Sequence, residues 1–373
     1  MFEILQSILI VCLSYVVTIY VGRKLKLGPN LNLITLSVHT FYSVVYWYLW
    51  TQVGYSDVIY YYNAALVEPY LWEPGTTLII TLMKVLVVFF NLKLFDCFLV
   101  FNILGVIGVQ LLLRVLLDIW PKFNNKISWM PYLIMLMPGH HLWSGAPGKD
   151  AIAYLSVTVL VFGLHRSKYN VVLIGIFLMF LARPHISLVM VLALIISLAI
   201  SHSVNKHHRW LLFFLGLIAY FLIDVATQFI GMGAFSLANL LEFIEGRRNI
   251  IMPGDSSYDP NEVAFIVRLY RYILAPLFFD ARSFSGLIVS FENLFLLIFF
   301  TKYILLNIIN IVKRIRTPII SFSAVYCLVM LVIMTITTTN VGIALRQKYM
   351  IVPILLVLGS MLASKHYNRL KAI

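Results

Sequence analysis

Long apolar runs separated by short clusters of cations constrain this chain more than any other feature of its sequence. The hydrocarbon core of a bilayer is about 30 Å thick, and a helix crosses it in about 20 residues. Runs that reach or approach this length lie near residues 2–21, 34–52, 96–117, 128–139, 151–164, 171–183, 186–201, 209–229, 285–306, 318–338 and 350–364. They predict an all-α fold, a polytopic integral membrane helical bundle with about 11 transmembrane helices in one transmembrane domain over 1–373. Composition points the same way. Apolar residues make up 61% of the 373 positions and charged residues 12%, against about 45–50% and 25% in soluble domains. The net charge of +13 is scattered in clusters and forms no single basic stripe, so no nucleic-acid partner is expected.

The clusters orient the spans, because short cytoplasmic loops carry the excess of Lys and Arg. Arg23, Lys24 and Lys26; Lys122 and Lys126; Arg166 and Lys168; Lys206 and Arg209; Lys313, Arg314 and Arg316; and Lys365, Arg369 and Lys371 all fall inside on one alternating path. That path has the N-terminus outside and the C-terminus in the cytoplasm. It requires the apolar stretch 76–91, which follows Pro74-Gly75 and contains Lys84, to lie in the outer interface without crossing. Residues 53–95 then form a first outer loop with interfacial helices, and 230–284 a long outer loop. The first run has no basic residues before it and no small-residue cleavage site after it, so it reads as a retained span. Cys12, Cys97 and Cys327 lie inside apolar runs, with neither a disulfide framework nor a metal-ligand spacing.

Polar and ionisable residues collect in the outer segments. Asp57 follows a span directly and shares a helix face with Tyr61 at i, i+4 in "DVIYYYNAA". A carboxylate there suits a general base for an acceptor hydroxyl, and equally a first-turn acid favoured by the helix dipole. In "HHLWSGAPGKD", Lys149 and Asp150 open the next helix after Gly145, Pro147 and Gly148, a place for a bound anion or a capping carboxylate. His141 and its neighbour His140 are a weak metal signal, since adjacent residues do not face the same way on a helix. Arg183, Pro184 and His185 join two short apolar runs, and burying ionisable groups at membrane depth is costly enough to suggest function. Arg346 and Lys348 in "NVGIALRQKY" precede the last span. Together with Arg183 and with Arg247 or Arg248 of the long loop they form a candidate phosphate-binding set, for which the planar guanidinium fork is suited. Ion pairing within the loops or lipid headgroups would account for any one of these cations equally well. Asp224 and Glu292 fall within apolar runs, where they would serve as proton sites or ion partners.

This ordered series resembles the GT-C superfamily of polytopic glycosyltransferases, and bacterial polysaccharide repeat-unit polymerases and related envelope glycosyltransferases within it. The features that carry the likeness run from about residue 35 to 200. They are the Asp and aromatic-rich helix "DVIYYYNAAL", the Pro-led interfacial helix "EPGTTLIITLMKVLVVFFNLKLFD", the span and basic loop "LLLRVLLDIWPKFNNK", and the second loop "MPGHHLWSGAPGKDAI". The resemblance implies that Asp57 is the first-loop acid used as catalytic base or substrate-binding carboxylate and that Asp150 is the second-loop acid, the two being the candidate catalytic residues. Where many members have a doublet of acids, this chain has the single acid of "SDV". No cofactor is implied with certainty, no residues are assigned to a metal, and a divalent cation is the one cofactor the resemblance allows. The expected function is transfer of sugar from a polyprenyl-phosphate or polyprenyl-diphosphate carrier to a glycan or lipid acceptor at the non-cytoplasmic face of a bacterial plasma (inner) membrane. Partners would be the lipid-linked donor, the acceptor and membrane lipid. A transporter or flippase of lipid-linked oligosaccharide is the alternative, and a non-catalytic assembly subunit a third.

Overall fold

The computed structural model describes residues 2–54, 56–120, 128–201, 206–249 and 256–363. Among them the chain is all-helical, with one isolated antiparallel bridge between Ser257 and Asn340. It divides into two compact units, Met1–Arg183 and Pro184–Ile373. Among the described residues five helices are long and apolar enough to cross a membrane, and a sixth span results if the bent pair Val341–Met350 and Val352–Ala363 is taken as one. Several membrane-length helices are what a multi-pass membrane protein requires. The expected number of about 11 is not reached by this measure. The clusters Lys122/Lys126 and Lys365/Arg369/Lys371, and Asp255, lie outside the described residues.

The first unit contains α1 (Phe2–Lys24), α2 (Pro29–Val53), α3 (Asp57–Val67), α4 (Thr76–Lys84), α5 (Leu94–Ile119), α6 (Met130–Met135), α7 (Pro138–Leu142), α8 (Lys149–His165) and α9 (Tyr169–Ala182). Polar side chains inside the apolar bundle fix its register. Gln110 Nε2 of α5 donates to Thr18 O at 3.0 Å and to Asn32 Oδ1 at 3.1 Å, while Asn102 Nδ2 donates to Thr40 Oγ1 at 3.0 Å. Each bond satisfies a group that hydrocarbon could not. Residue numbers rise along α2 as they fall along α5, so the two helices are antiparallel. α8 runs parallel to α5, with Gly108 against Tyr154 and Asp118 against His165. α9 returns along α8, where Ser156 Oγ donates to Gly175 O at 2.7 Å.

Parallel α5 and α8 need a return path between them. It is supplied by α6, α7 and the turn to Gly148, which follow α2 upward: Thr35 meets Met135, His39 meets His141, and Ser43 meets Gly145. Pro131 and Pro138 each stand at a helix start, where the missing N–H is tolerated but a continuous helix is not. The run 128–139 is therefore two short helices and no single span.

At one end of this unit Asp118 gathers Arg114, His165 at 3.2 Å and Arg166 at 2.7 Å, and Arg114 also reaches Leu25 O at the end of α1. The opposite end collects the start of α5, the start of α8 and the end of α9. Between Asp150 and His165 lie about 22 Å of helix axis.

The second unit holds α10 (Pro184–Ile200), α11 (Lys206–Phe229), α12 (Leu237–Asn249), α13 (Phe265–Leu274), α14 (Phe284–Tyr303), α15 (Ile308–Lys313), α16 (Pro318–Thr337), α17 (Val341–Gln347) and α18 (Val352–Ala363). α16 and the bent α17–α18 pair are antiparallel: Arg314 reaches Met361 O, Tyr326 OH donates to Met350 O, and Thr338 Oγ1 donates to Gln347 Oε1 at 3.0 Å. Lys313, Arg314 and Arg316 sit at the start of α16, about 30 Å along its 20 residues from its C-terminal end.

Candidate functional site

The end of the first unit opposite Asp118 carries Asp57, Tyr61, Lys149, Asp150 and Arg183. α3 begins there because Ser56 is a helix cap whose Oγ accepts from Ile59 N at 3.3 Å. Asp57, the first residue of α3, is exposed in its first turn, where the helix dipole favours a carboxylate. One turn further, Tyr61 is buried, and a methyl placed on Gly148 would stand 3.8 Å from its Cε2. Tyr61 is thus within reach of the turn that leads into α8. Burial first, then Cys97, pushes the neighbouring Tyr62 phenol above its usual range against the opposing Lys93, because α3 lies over the start of α5.

Three hydrogen bonds tie separate segments together beside Tyr61. Gly75 N donates to Leu181 O at 2.8 Å, Lys149 Nζ donates to Thr76 Oγ1 at 2.9 Å, and Arg183 Nη2 donates to Asp150 Oδ1 at 2.8 Å. Gly75 has φ 92°, a conformation that side-chain-bearing residues avoid, and it lets the chain turn from 68–74 into α4. The Asp150 and Arg183 side chains are only 13% and 12% exposed, so their attraction is screened far less than that of a surface pair. Arg183 keeps a buried Nε–H with no hydrogen-bond partner among the described residues. The centre therefore combines a carboxylate held in a fixed direction, a guanidinium with a donor to spare, an ammonium group and an aromatic wall. Such a set can orient a hydroxyl and neutralise an oxyanion.

His141 belongs to the interior instead. Its Nε2 lies 2.6 Å from Met135 O, which can only accept, so Nε2 carries the proton and Nδ1 accepts from His39 Nδ1 at 2.9 Å. Tyr42 stacks on its ring at 5.7 Å. His39 Nε2 is left as a buried lone pair facing Gly105, where any side chain would overlap it. His39 was not among the candidates drawn from sequence. An ionisable residue within an apolar run was the signal available.

The remaining candidates lie in the second unit. His185 stacks on Phe229 with ring centroids 5.4 Å apart. Arg346 is half-buried near the end of α17. Lys348 is almost fully buried, and its Nζ donates to Asn293 Oδ1 on α14, beside the buried Glu292. Asp224 accepts from Gln228 at 3.0 Å. Arg247 and Arg248 lie in α12 by backbone, and their side chains are outside the described residues. Among the described residues no group of three or more His, Cys, Asp or Glu could hold a metal ion. Comparison with known proteins finds no family model that matches the chain, no similar curated protein and no similar solved structure.

Proposed function

We propose that this chain is a membrane glycosyltransferase or glycan polymerase. It takes sugar from a polyprenyl-phosphate or polyprenyl-diphosphate carrier to a glycan or lipid acceptor at the non-cytoplasmic face, in a GT-C-like bundle of about 11 membrane segments counting the short and broken ones. The observation that carries the reading is the joining of Lys149 to Thr76 and of Asp150 to Arg183 at the end of the first unit opposite Asp118, with α3, which begins at Asp57, reaching the same turn through Tyr61. In the reaction, the acceptor hydroxyl loses its proton to Asp57 as its oxygen bonds to the sugar's anomeric carbon. The bond from that carbon to phosphate oxygen breaks, and the lipid phosphate leaves with its electron pair. Arg183 and Lys149 neutralise the departing charge, and Asp150 holds Arg183 in place. Charge stabilisation in a water-poor site is where such a reaction gains most of its rate.

Replacing Asp57 by Asn retains volume and removes the proton acceptor. Transfer by the purified variant should fall about 100-fold or more, while binding of the lipid-linked donor and the amount of protein in the membrane stay unchanged. Near-wild-type transfer by Asp57→Asn would remove Asp57 as the base.

One observation favours the transporter reading. Glu292 and Lys348 are both buried in segments of membrane-span character, as the coupling groups of a transporter would be. Lys348→Met should then abolish movement of substrate while leaving transfer chemistry absent in the wild type as well.

A further inference from the structure

The sequence places the segment between α13 and α14 in a long outer loop, yet its contacts lie deep beside the spans of the second unit. Asn293 stands nine residues beyond Phe284, the first residue of α14, and its Nδ2 donates to Pro276 O at 2.8 Å. Nine residues are about 14 Å of helix axis, close to half of a hydrocarbon core about 30 Å thick. Phe278 meets the ring of Phe291, about two turns into the same helix, with centroids 4.8 Å apart. α16 gives the same depth. Asn293 Oδ1 accepts from Lys348 Nζ, and two residues further on Met350 O accepts at 3.3 Å from Tyr326 OH, near the middle of α16.

Both limbs of the segment start from one end of the unit. α14 runs parallel to the bent α17–α18 pair, with Asn293 at Lys348 and Phe299 against Gly359, and is therefore antiparallel to α16. Phe284 and the last turn of α16 thus share an end. Arg268 of α13 is 5% exposed at that end, where its Nη2 donates to Thr335 O at 2.8 Å and to Ile336 O at 2.9 Å. From there the chain descends along α13 to Pro276 and climbs back to Phe284. The limbs hold each other: Tyr270 stacks on Phe279 with centroids 6.4 Å apart, and its OH donates to Asp280 Oδ2 at 3.2 Å.

The surface of this hairpin is inverted relative to a helix in water, which turns charge outward. Arg268 is buried on carbonyls and Arg271 lies over the Tyr258 ring at 4.7 Å, while Ile266 is 69% exposed and Phe279 80%. At the tip Ala275 and Leu277 are buried. Its backbone is paired from within: Asn293 holds Pro276 O, Leu277 N donates to Asp280 Oδ1, and Asp280 N donates to Leu277 O at 2.9 Å. Irregular backbone at membrane depth requires such internal pairing and burial, and a loop in water does not. We propose that residues 265–283 form a re-entrant hairpin that enters the bilayer, turns near its midplane at Pro276 and leaves by the same side, with lipid acyl chains against Ile266 and Phe279. Lipid is the occupant because this face continues the exposed apolar face of α14, whose Phe291 is 67% exposed beside Phe278. Through Asn293 the tip is also tied to the buried Lys348, just before the bend between α17 and α18.

Spin labels on single cysteines of the full chain in nanodiscs test it, in a background carrying Cys12→Ser, Cys97→Ala and Cys327→Ala. Ile266→Cys and Phe279→Cys replace exposed side chains and leave the packing intact. Phe291→Cys on α14 and Asn261→Cys in the loop before α13 serve as references. Power saturation reads collisions with oxygen, which collects in hydrocarbon, and with a water-soluble nickel chelate. The ratio of oxygen to chelate collisions should rise in the order Asn261, Ile266, Phe279. At Phe279 it should exceed the Asn261 value by roughly tenfold and match Phe291, because the bilayer core holds no water to carry the chelate. Chelate collisions at Phe279 as frequent as at Asn261 would make the segment a loop in water and overturn the proposal. Few collisions with either reagent would mean that protein, such as a second copy of the chain, covers this face, and would overturn it equally. The hairpin requires only that α14 and α16 cross the bilayer, so its failure is distinguishable from failure of the transfer reaction.

Discussion

At the scale of single residues, Asp150 and Arg183 show how a site residue can have a structural duty. Each is mostly shielded from water and neutralises the other, so removing either leaves a poorly solvated charge. Asp150→Asn or Arg183→Gln should each destabilise the protein by about 1–3 kcal/mol, read as a lowered unfolding midpoint in detergent. The exchanged pair Asp150→Arg with Arg183→Asp should recover most of that stability, less about 0.3–1 kcal/mol for placing a cation at the start of α8. It should not recover glycan transfer. Full activity in the exchanged pair would reduce both residues to a structural clasp. Sequence singled out both residues because an acid before a helix and an Arg between two short apolar runs are each unusual. It could not pair them, since they are 33 positions apart and meet only through the α8–α9 hairpin. His39 was passed over because one imidazole within a long apolar run looks like an ordinary polar break, and its partner His141 is 102 positions away.

At the scale of elements, hydropathy located the helices well and the crossings less well. The stretch expected to avoid crossing does form a short helix, α4, followed by a wider turn over Val85–Phe89 and an interruption before α5. The run 128–139 has enough apolar residues for a partial span, but two prolines divide it, and a hydropathy sum does not register that difference. α9 and α10, with 14 and 17 residues, are below the length of a full perpendicular crossing. Within the first unit, Arg23, Lys24, Arg166 and Lys168 lie at one end and Ser56 and Gly148 at the other. Cysteines introduced at Ser56 and Gly148 should therefore react with an impermeant thiol reagent applied to intact cells. A cysteine at Ser167 should react only after permeabilisation. The reverse pattern would turn the proposed centre toward the cytoplasm and remove the lipid-carrier argument.

At the scale of the whole molecule, two compact units each enclose a distinct polar feature. One is the Lys149–Asp150–Arg183 centre beside Tyr61, and the other is the buried Arg268, whose guanidinium caps the last turn of α16. The first was largely legible as a set of residue types, while the second was not, because Arg268 lies within an amphipathic stretch whose partner carbonyls come from α16, 67 and 68 positions later. The central proposal is that the chain makes a glycosidic bond while breaking the sugar–phosphate bond of a lipid-linked donor. The most direct test supplies purified wild-type protein in proteoliposomes with a polyprenyl-diphosphate-linked oligosaccharide and separates the lipids and glycans afterwards. An enzyme should yield free polyprenyl diphosphate and a lengthened or newly glycosylated acceptor in equal amounts. Recovery of the lipid-linked substrate chemically intact, but moved to the other leaflet, would contradict that account and identify a transporter.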